Sequence, residues 1–178
     1  MSSIAAVTTL LLTVIGDDRA GLVKALADVV QAHDGNWERS HLAEMAGKFA
    51  GIVEVSVPQA RAAELQAALR PLEGMLEVEV HTGTPHAPDA RHEVVVEILG
   101  NDHPGILQAV SGALAEQGLS VTELETSTRE APMVGGQLFE ARALVAVPEG
   151  FDLAELRAAL EHIAAEVLVD LTLTSADD

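Results

Sequence analysis

An apolar run that ends in a glycine-flanked acidic loop occurs twice in this chain. Leu12 to Gly21 reads LTVIGDDRAG and Val96 to Gly105 reads VEILGNDHPG, so that Gly16 pairs with Gly100, Asp18 with Asp102 and Gly21 with Gly105. A duplicated strand, tight loop and helix start restricts the chain to a tandem of small α/β modules. It also makes the loop the place to look for chemistry. A helix N-terminus that glycine backbone lets a ligand approach is a ready site for a carboxylate or another anion.

The periodicities on either side of the loops agree in the two copies. Leu10, Leu12 and Val14 alternate along one strand face, as do Val94, Val96 and Ile98. After the loop, Leu22, Leu26, Val29 and Val30 follow helical spacing, and Ile106, Val110, Ala113 and Leu114 hold the matching places. Strands are expected from Asn36 to Ala46 and Lys48 to Val57 about a bend at Gly47, and from Ser120 to Arg129 and Gln137 to Val147 about a loop through Pro132, Gly135 and Gly136. Pro58 and Pro148 then introduce second helices, marked by Leu65, Leu69 and Leu72 and by Leu156, Leu160 and Ile163. Last strands run from Leu76 to His81 and from Val167 to Thr174.

Each module is thus β-α-β-β-α-β, an α+β order that builds a four-stranded antiparallel sheet with both helices on one face, the ferredoxin-like arrangement. The expected boundaries are residues 1–82 for the first domain, 83–91 for a linker with two prolines and no apolar period, and 92–178 for the second domain. Aromatic residues are only 2% of the chain, so both cores must be packed from Val, Leu, Ile and Ala.

Charge and composition exclude several functions. Ten basic residues stand against 28 acidic ones, a formal net charge of −18, and the basic residues are scattered. Direct nucleic-acid binding needs a basic face to neutralise phosphates, so it is not expected here. The absence of cysteine removes disulfides, thiolate catalysis and cysteine metal sites together. The seven histidines show no His-x-His or His-x-x-x-His spacing, so no metal site is expected. Neither a nucleophile elbow nor a repeated acid and base pair occurs, which argues against an enzyme and leaves no catalytic residue or cofactor to name. No run is long enough to span a membrane, and the expected location is cytoplasmic.

The candidate site residues cluster in the two loops. Asp18 and Asp102 immediately precede a helix, where a side-chain oxygen commonly caps a free N–H. The binding alternative is that an amino acid sets its carboxylate on the loop and helix N–H groups and its ammonium against the aspartate. Asn36 and Ser120, each at the start of a second strand, are equivalent polar positions that could face the loop of a neighbouring module.

Taken with the segment HLAEMAGKFAGIVEVSVP at His41 to Pro58, these loops and the two β-α-β-β-α-β units resemble tandem ACT-domain proteins, and within them the glycine cleavage system transcriptional repressor family. The resemblance implies a regulatory protein that binds a small amino-acid effector, glycine or a similar one, between paired modules. It implies a cradle of Asp18, Arg19, Ala20 and Gly21 with Asn101, Asp102, His103, Pro104 and Gly105, completed by Asn36 and Ser120. It further implies a homo-oligomer that works through a protein partner. Two positions depart from the family pattern: Ala20 stands where proline is usual, and Ser120 where asparagine is often found. A ligand-independent interaction module and a small ferredoxin-like enzyme remain as alternative readings of the residues themselves.

Overall fold

In the computed structural model, which describes residues 6–72, 74–83, 91–131 and 135–176, the chain divides into two compact units, Met1–Ala87 and Pro88–Asp178. Part of the expected linker, residues 84–90, lies outside the described residues, as do residues 132–134 of the loop through Pro132.

The first unit runs β1 (Val7–Asp17), α1 (Leu22–Ala32), β2 (Asn36–Met45), β3 (Lys48–Pro58), α2 (Ala62–Leu69) and β4 (Glu77–Thr82). The second repeats it as β5 (Arg91–Asn101), α3 (Ile106–Glu116), β6 (Ser120–Glu130), β7 (Gln137–Pro148), α4 (Leu153–Glu166) and β8 (Val169–Ser175). The sheet orders are β2-β3-β1-β4 and β6-β7-β5-β8, antiparallel at every pairing. These are the two ferredoxin-like sheets expected from the periodicity. β5 begins at Arg91, so strand pairing reaches the last residue of the expected linker.

Each core forms where the alternating strand face meets the helical stripes. Leu10, Leu12 and Val14 of β1 and Val53, Val55 and Val57 of β3 pack with Leu22, Leu26 and Val30 of α1 and Leu65 and Leu69 of α2. The second core repeats this with Val94, Val96 and Ile98, Val145 and Val147, the α3 stripe and Leu156 and Leu160. A fully buried Leu or Val contributes about 1.5–3 kcal/mol, so these side chains dominate the stability of either unit.

The segment after Pro58 departs from one continuous helix. Gln59–Arg61 forms a 3-10 turn, α2 has only 8 residues, and Arg70–Leu72 closes it with a second 3-10 turn. Proline at Pro71 supplies no N–H to an α-helical ladder, which accounts for the early end. The bend between β2 and β3 uses Ala46 and Gly47 at φ 53 and 79, the paired left-handed geometry that suits a tight hairpin.

Candidate functional site

Both loops leave the sheet at the same corner and are held there by the same backbone contacts. The Asp18 N–H donates to the Gly47 carbonyl at 2.9 Å, and the Asp102 N–H to the Gln137 carbonyl at 2.8 Å. Each loop is therefore tied to the start of the strand next to it, β3 or β7.

The two glycines of each loop serve different purposes. A Cβ on Gly16 would lie 2.6 Å from the Met75 carbonyl oxygen, and one on Gly100 would lie 2.5 Å from Val169 Cγ1, so these positions permit close approach of the last strand. Gly21 and Gly105 instead adopt left-handed backbone, φ 94 and φ 103, and an added Cβ would meet nothing within 4 Å. They turn the chain into α1 and α3 and leave the space beside the helix start open.

This geometry corrects the capping expectation for Asp18 and Asp102. Gly21 and Gly105 themselves occupy the N-cap positions, and neither α1 nor α3 has a side-chain cap hydrogen bond. The left-handed glycine sets the aspartate two or more residues outside the cap, where its carboxylate does not serve the first turn. The first-turn N–H groups of both helices consequently lack a side-chain acceptor, and the macrodipole adds positive potential at the same place.

The residue after each aspartate reaches across to the turn that precedes the last strand. Arg19 Nη2 donates to the Gly74 carbonyl at 3.4 Å, and His103 Nε2 meets the Val167 carbonyl at 2.7 Å. His103 Nδ1 also faces the Pro104 carbonyl at 3.1 Å. Two carbonyl oxygens can both be satisfied only by a ring carrying both protons. The Val167 carbonyl, then the Pro104 carbonyl, and with them the Asp102 charge therefore raise the His103 pKa above its ordinary value, against a smaller opposing effect of desolvation.

The first loop carries more charge than the second. Both lysines of the chain, Lys24 and Lys48, stand at this corner with Arg19. Lys48 pairs with Asp17, holding that carboxyl below its usual range chiefly through their hydrogen bond, while Lys24 pairs with Asp28 one helical turn away at 2.6 Å.

A cleft of about 450 Å³ opens beside this loop. Asp18, Arg19 and Gly21 form its loop side, and Phe49 of β3 contributes from the sheet. Leu22, Val23, Lys24 and Ala27 of α1 complete it. Of the sequence-predicted cradle, Asp18, Arg19 and Gly21 are thus brought together, with Ala20 exposed between them. Asn101 ends β5 opposite Leu138, and Asp102, His103, Pro104 and Gly105 follow as one exposed loop.

Asn36 and Ser120 are not brought to the loops of their own units. Asn36 is in register with Ser56, and Ser56 with Thr9, whereas the loop follows Asp17 at the other end of β1. The two ends are roughly 27 Å apart at about 3.4 Å per residue. Ser120 is likewise level with Glu93, far from Asn101. The Asn36 amide donates to Glu38 Oε1 at 3.0 Å, and Ser56 also hydrogen-bonds this carboxylate. These two bonds, Ser56 first, lower the Glu38 pKa.

Sequence reasoning did not single out Val23, Lys24, Ala27 or Phe49 as site residues. Their signal was available. Val23 and Leu107 are apolar residues at equivalent places off the buried stripe, and two of the chain's three phenylalanines, Phe49 and Phe139, are equivalent strand positions at the foot of the loops.

The ACT domain family model matches residues 8–83, and a second ACT domain model matches residues 94–164. The chain belongs to the ACT-domain family. Its two ACT domains stand in tandem, and domains of this family are regulatory and generally bind small amino-acid effectors. An unknown protein from Galdieria sulphuraria is 29% identical, with a TM-score of 0.85 over 96% of this chain and 99% of that one. A crystal structure described as a candidate glycine cleavage system transcriptional repressor shares the tandem fold at 19% identity, with a TM-score of 0.73 over 95% of this chain and 97% of its own. None of the curated proteins matches the chain.

Among the described residues no group of three or more His, Cys, Asp or Glu side chains is placed to hold a metal ion. No described helix is long and apolar enough to cross a membrane.

Proposed function

We propose that this ACT-domain protein is a non-catalytic, amino-acid-sensing regulator of the glycine cleavage system transcriptional repressor kind. It acts in the cytoplasm as a homo-oligomer and through a protein partner, with a small amino acid as effector. The observation that carries the proposal is the uncapped first turn of α1, opening onto a cleft that also presents Asp18 and Arg19. Free N–H groups and Arg19 suit a carboxylate, and Asp18 suits an ammonium, so one loop offers donors to one end of a zwitterion and an acceptor to the other.

The second loop repeats the arrangement with Asp102, His103 and an equally uncapped α3. In this proposal Asn101, Pro104 and Ala20 shape the loops, and Asn36 and Ser120 serve a loop contributed by another module. The effector regulates by binding one association state better than another, a differential affinity of typically about 1–3 kcal/mol. Repression proceeds through a partner that itself touches DNA, because a chain with a net charge of −18 is repelled by phosphates.

Calorimetric titration with the twenty amino acids tests this directly. At least one should bind, and Asp18→Ala or Asp102→Ala should weaken it about tenfold, the effect of losing roughly one charge-assisted hydrogen bond. Heat changes indistinguishable from dilution for all twenty would refute it.

A second reading, a pairing module indifferent to ligand, is favoured by the apolar side chains that both loops leave exposed around them. Ile15 and Leu99, and Met75 and Leu168, occupy equivalent places, and Leu168 is 81% exposed. Under that reading the mass measured by light scattering is the same with and without amino acids.

A further inference from the structure

We infer, resting on the amino-acid reading above, that the first cleft selects an amino acid with an apolar side chain over glycine, seating that side chain against Val23, Ala27 and Phe49. Its polar groups lie at the loop end, where Asp18, Arg19 and the uncapped turn can take the ammonium and carboxylate. The rest of the wall is apolar except for Lys24, whose ammonium is paired with Asp28. Val23 and Ala27 are four residues apart and so stack on one face of α1, turned away from the buried stripe of Leu22, Leu26 and Val30.

The repeat supplies a separate observation. Val23 is 48% exposed and its counterpart Leu107 is 39% exposed. An apolar side chain held in water in the first turn contributes nothing to its own helix, and a β-branched one is slightly unfavourable there. Two copies that have diverged at most neighbouring positions both keep one. Both also keep a phenylalanine, Phe49 or Phe139, half-buried at the foot of the loop with its ring packed on the core. A ligand side chain lying across these groups would remove them from water.

Calorimetry on the intact chain with glycine and leucine decides it, using wild type, Val23→Ser and Val23→Ala. Leucine should bind at least about tenfold more tightly than glycine, the low end of what a few methylenes in an apolar pocket provide. Val23→Ser should weaken leucine about three- to tenfold and Val23→Ala by less, with glycine unchanged in both. Equal affinities in the wild type, or a Val23→Ser change that weakens glycine and leucine alike, would overturn the inference while leaving the amino-acid reading intact. Silence from all twenty amino acids would remove that reading and the inference together.

Discussion

The two loop corners share a backbone and differ in their charges. Both are tied by an aspartate N–H to a carbonyl at the neighbouring bend, both turn into the helix through a left-handed glycine, and both reach across to the turn before the last strand. Yet Arg19, Lys24 and Lys48 in the first correspond to His103, Gln108 and Leu138 in the second. The backbone construction is what the repeat has kept, and the charge placed on it has varied. The first loop therefore holds fixed charges of both signs, with Lys24 and Lys48 already paired to Asp28 and Asp17, whereas the only cation of the second is a histidine.

The glycines give the largest test of this comparison. At Gly16 an added Cβ would strike backbone, the Met75 carbonyl, whereas at Gly100 it would strike the Val169 side chain. Gly16→Ala should cost about 3 kcal/mol, and Gly100→Ala closer to about 1 kcal/mol because a valine can rotate or shift. Trp37, the chain's one tryptophan and part of the first core, reports the first unit in a urea titration, while circular dichroism follows both. Equal costs at the two positions would mean that the last strands approach their loops in the same way.

A smaller effect separates capped from uncapped helices. Asp152 accepts from the Ala154 N–H at 2.8 Å and caps α4, in contrast to Asp18 and Asp102. Asp152→Ala should lower stability by about 1 kcal/mol. Asp18→Ala and Asp102→Ala should stay within about 0.5 kcal/mol while still affecting ligand. A full capping loss at Asp18 would restore the structural role that the left-handed Gly21 denies it.

What the sequence made legible follows from which forces are local. Alternation at Leu10, Leu12 and Val14 and helical spacing at Leu22, Leu26 and Val30 reflect burial on one face, so strands, helices and both cores could be read directly. The loop could be located because it recurs. The function of Asp18 could not, because whether an aspartate caps depends on the backbone angle of a glycine three residues on. The reach of Arg19 to Gly74 spans 55 residues and has no local signature. Asn36 stands out because it matches Ser120 in the repeat, and since β2 runs parallel to β1 its first residue lies at the far end of its own sheet, where only the loop of a neighbouring module can meet it.

The smallest predicted effect is also the most specific to one side of the comparison. His103 gains two carbonyl partners in the folded protein and its pKa is raised, so the bridge to both Val167 and Pro104 is fully present below the ordinary value near 6.5, and one of its two bonds is lost as pH rises through the higher folded value. In the first loop Arg19 makes the equivalent contact, with no histidine taking part. Following the imidazole Cε1–H resonances by NMR, the His103 midpoint should lie above that of an unstructured histidine peptide. Amide exchange at Gly105 to Leu107 should quicken as the ring loses its proton, with no matching change at Gly21 to Val23. Because the ring is exposed, solvent screens the effect and overall stability should barely move. A His103 midpoint at or below the peptide value would show that the ring does not bridge the two carbonyls.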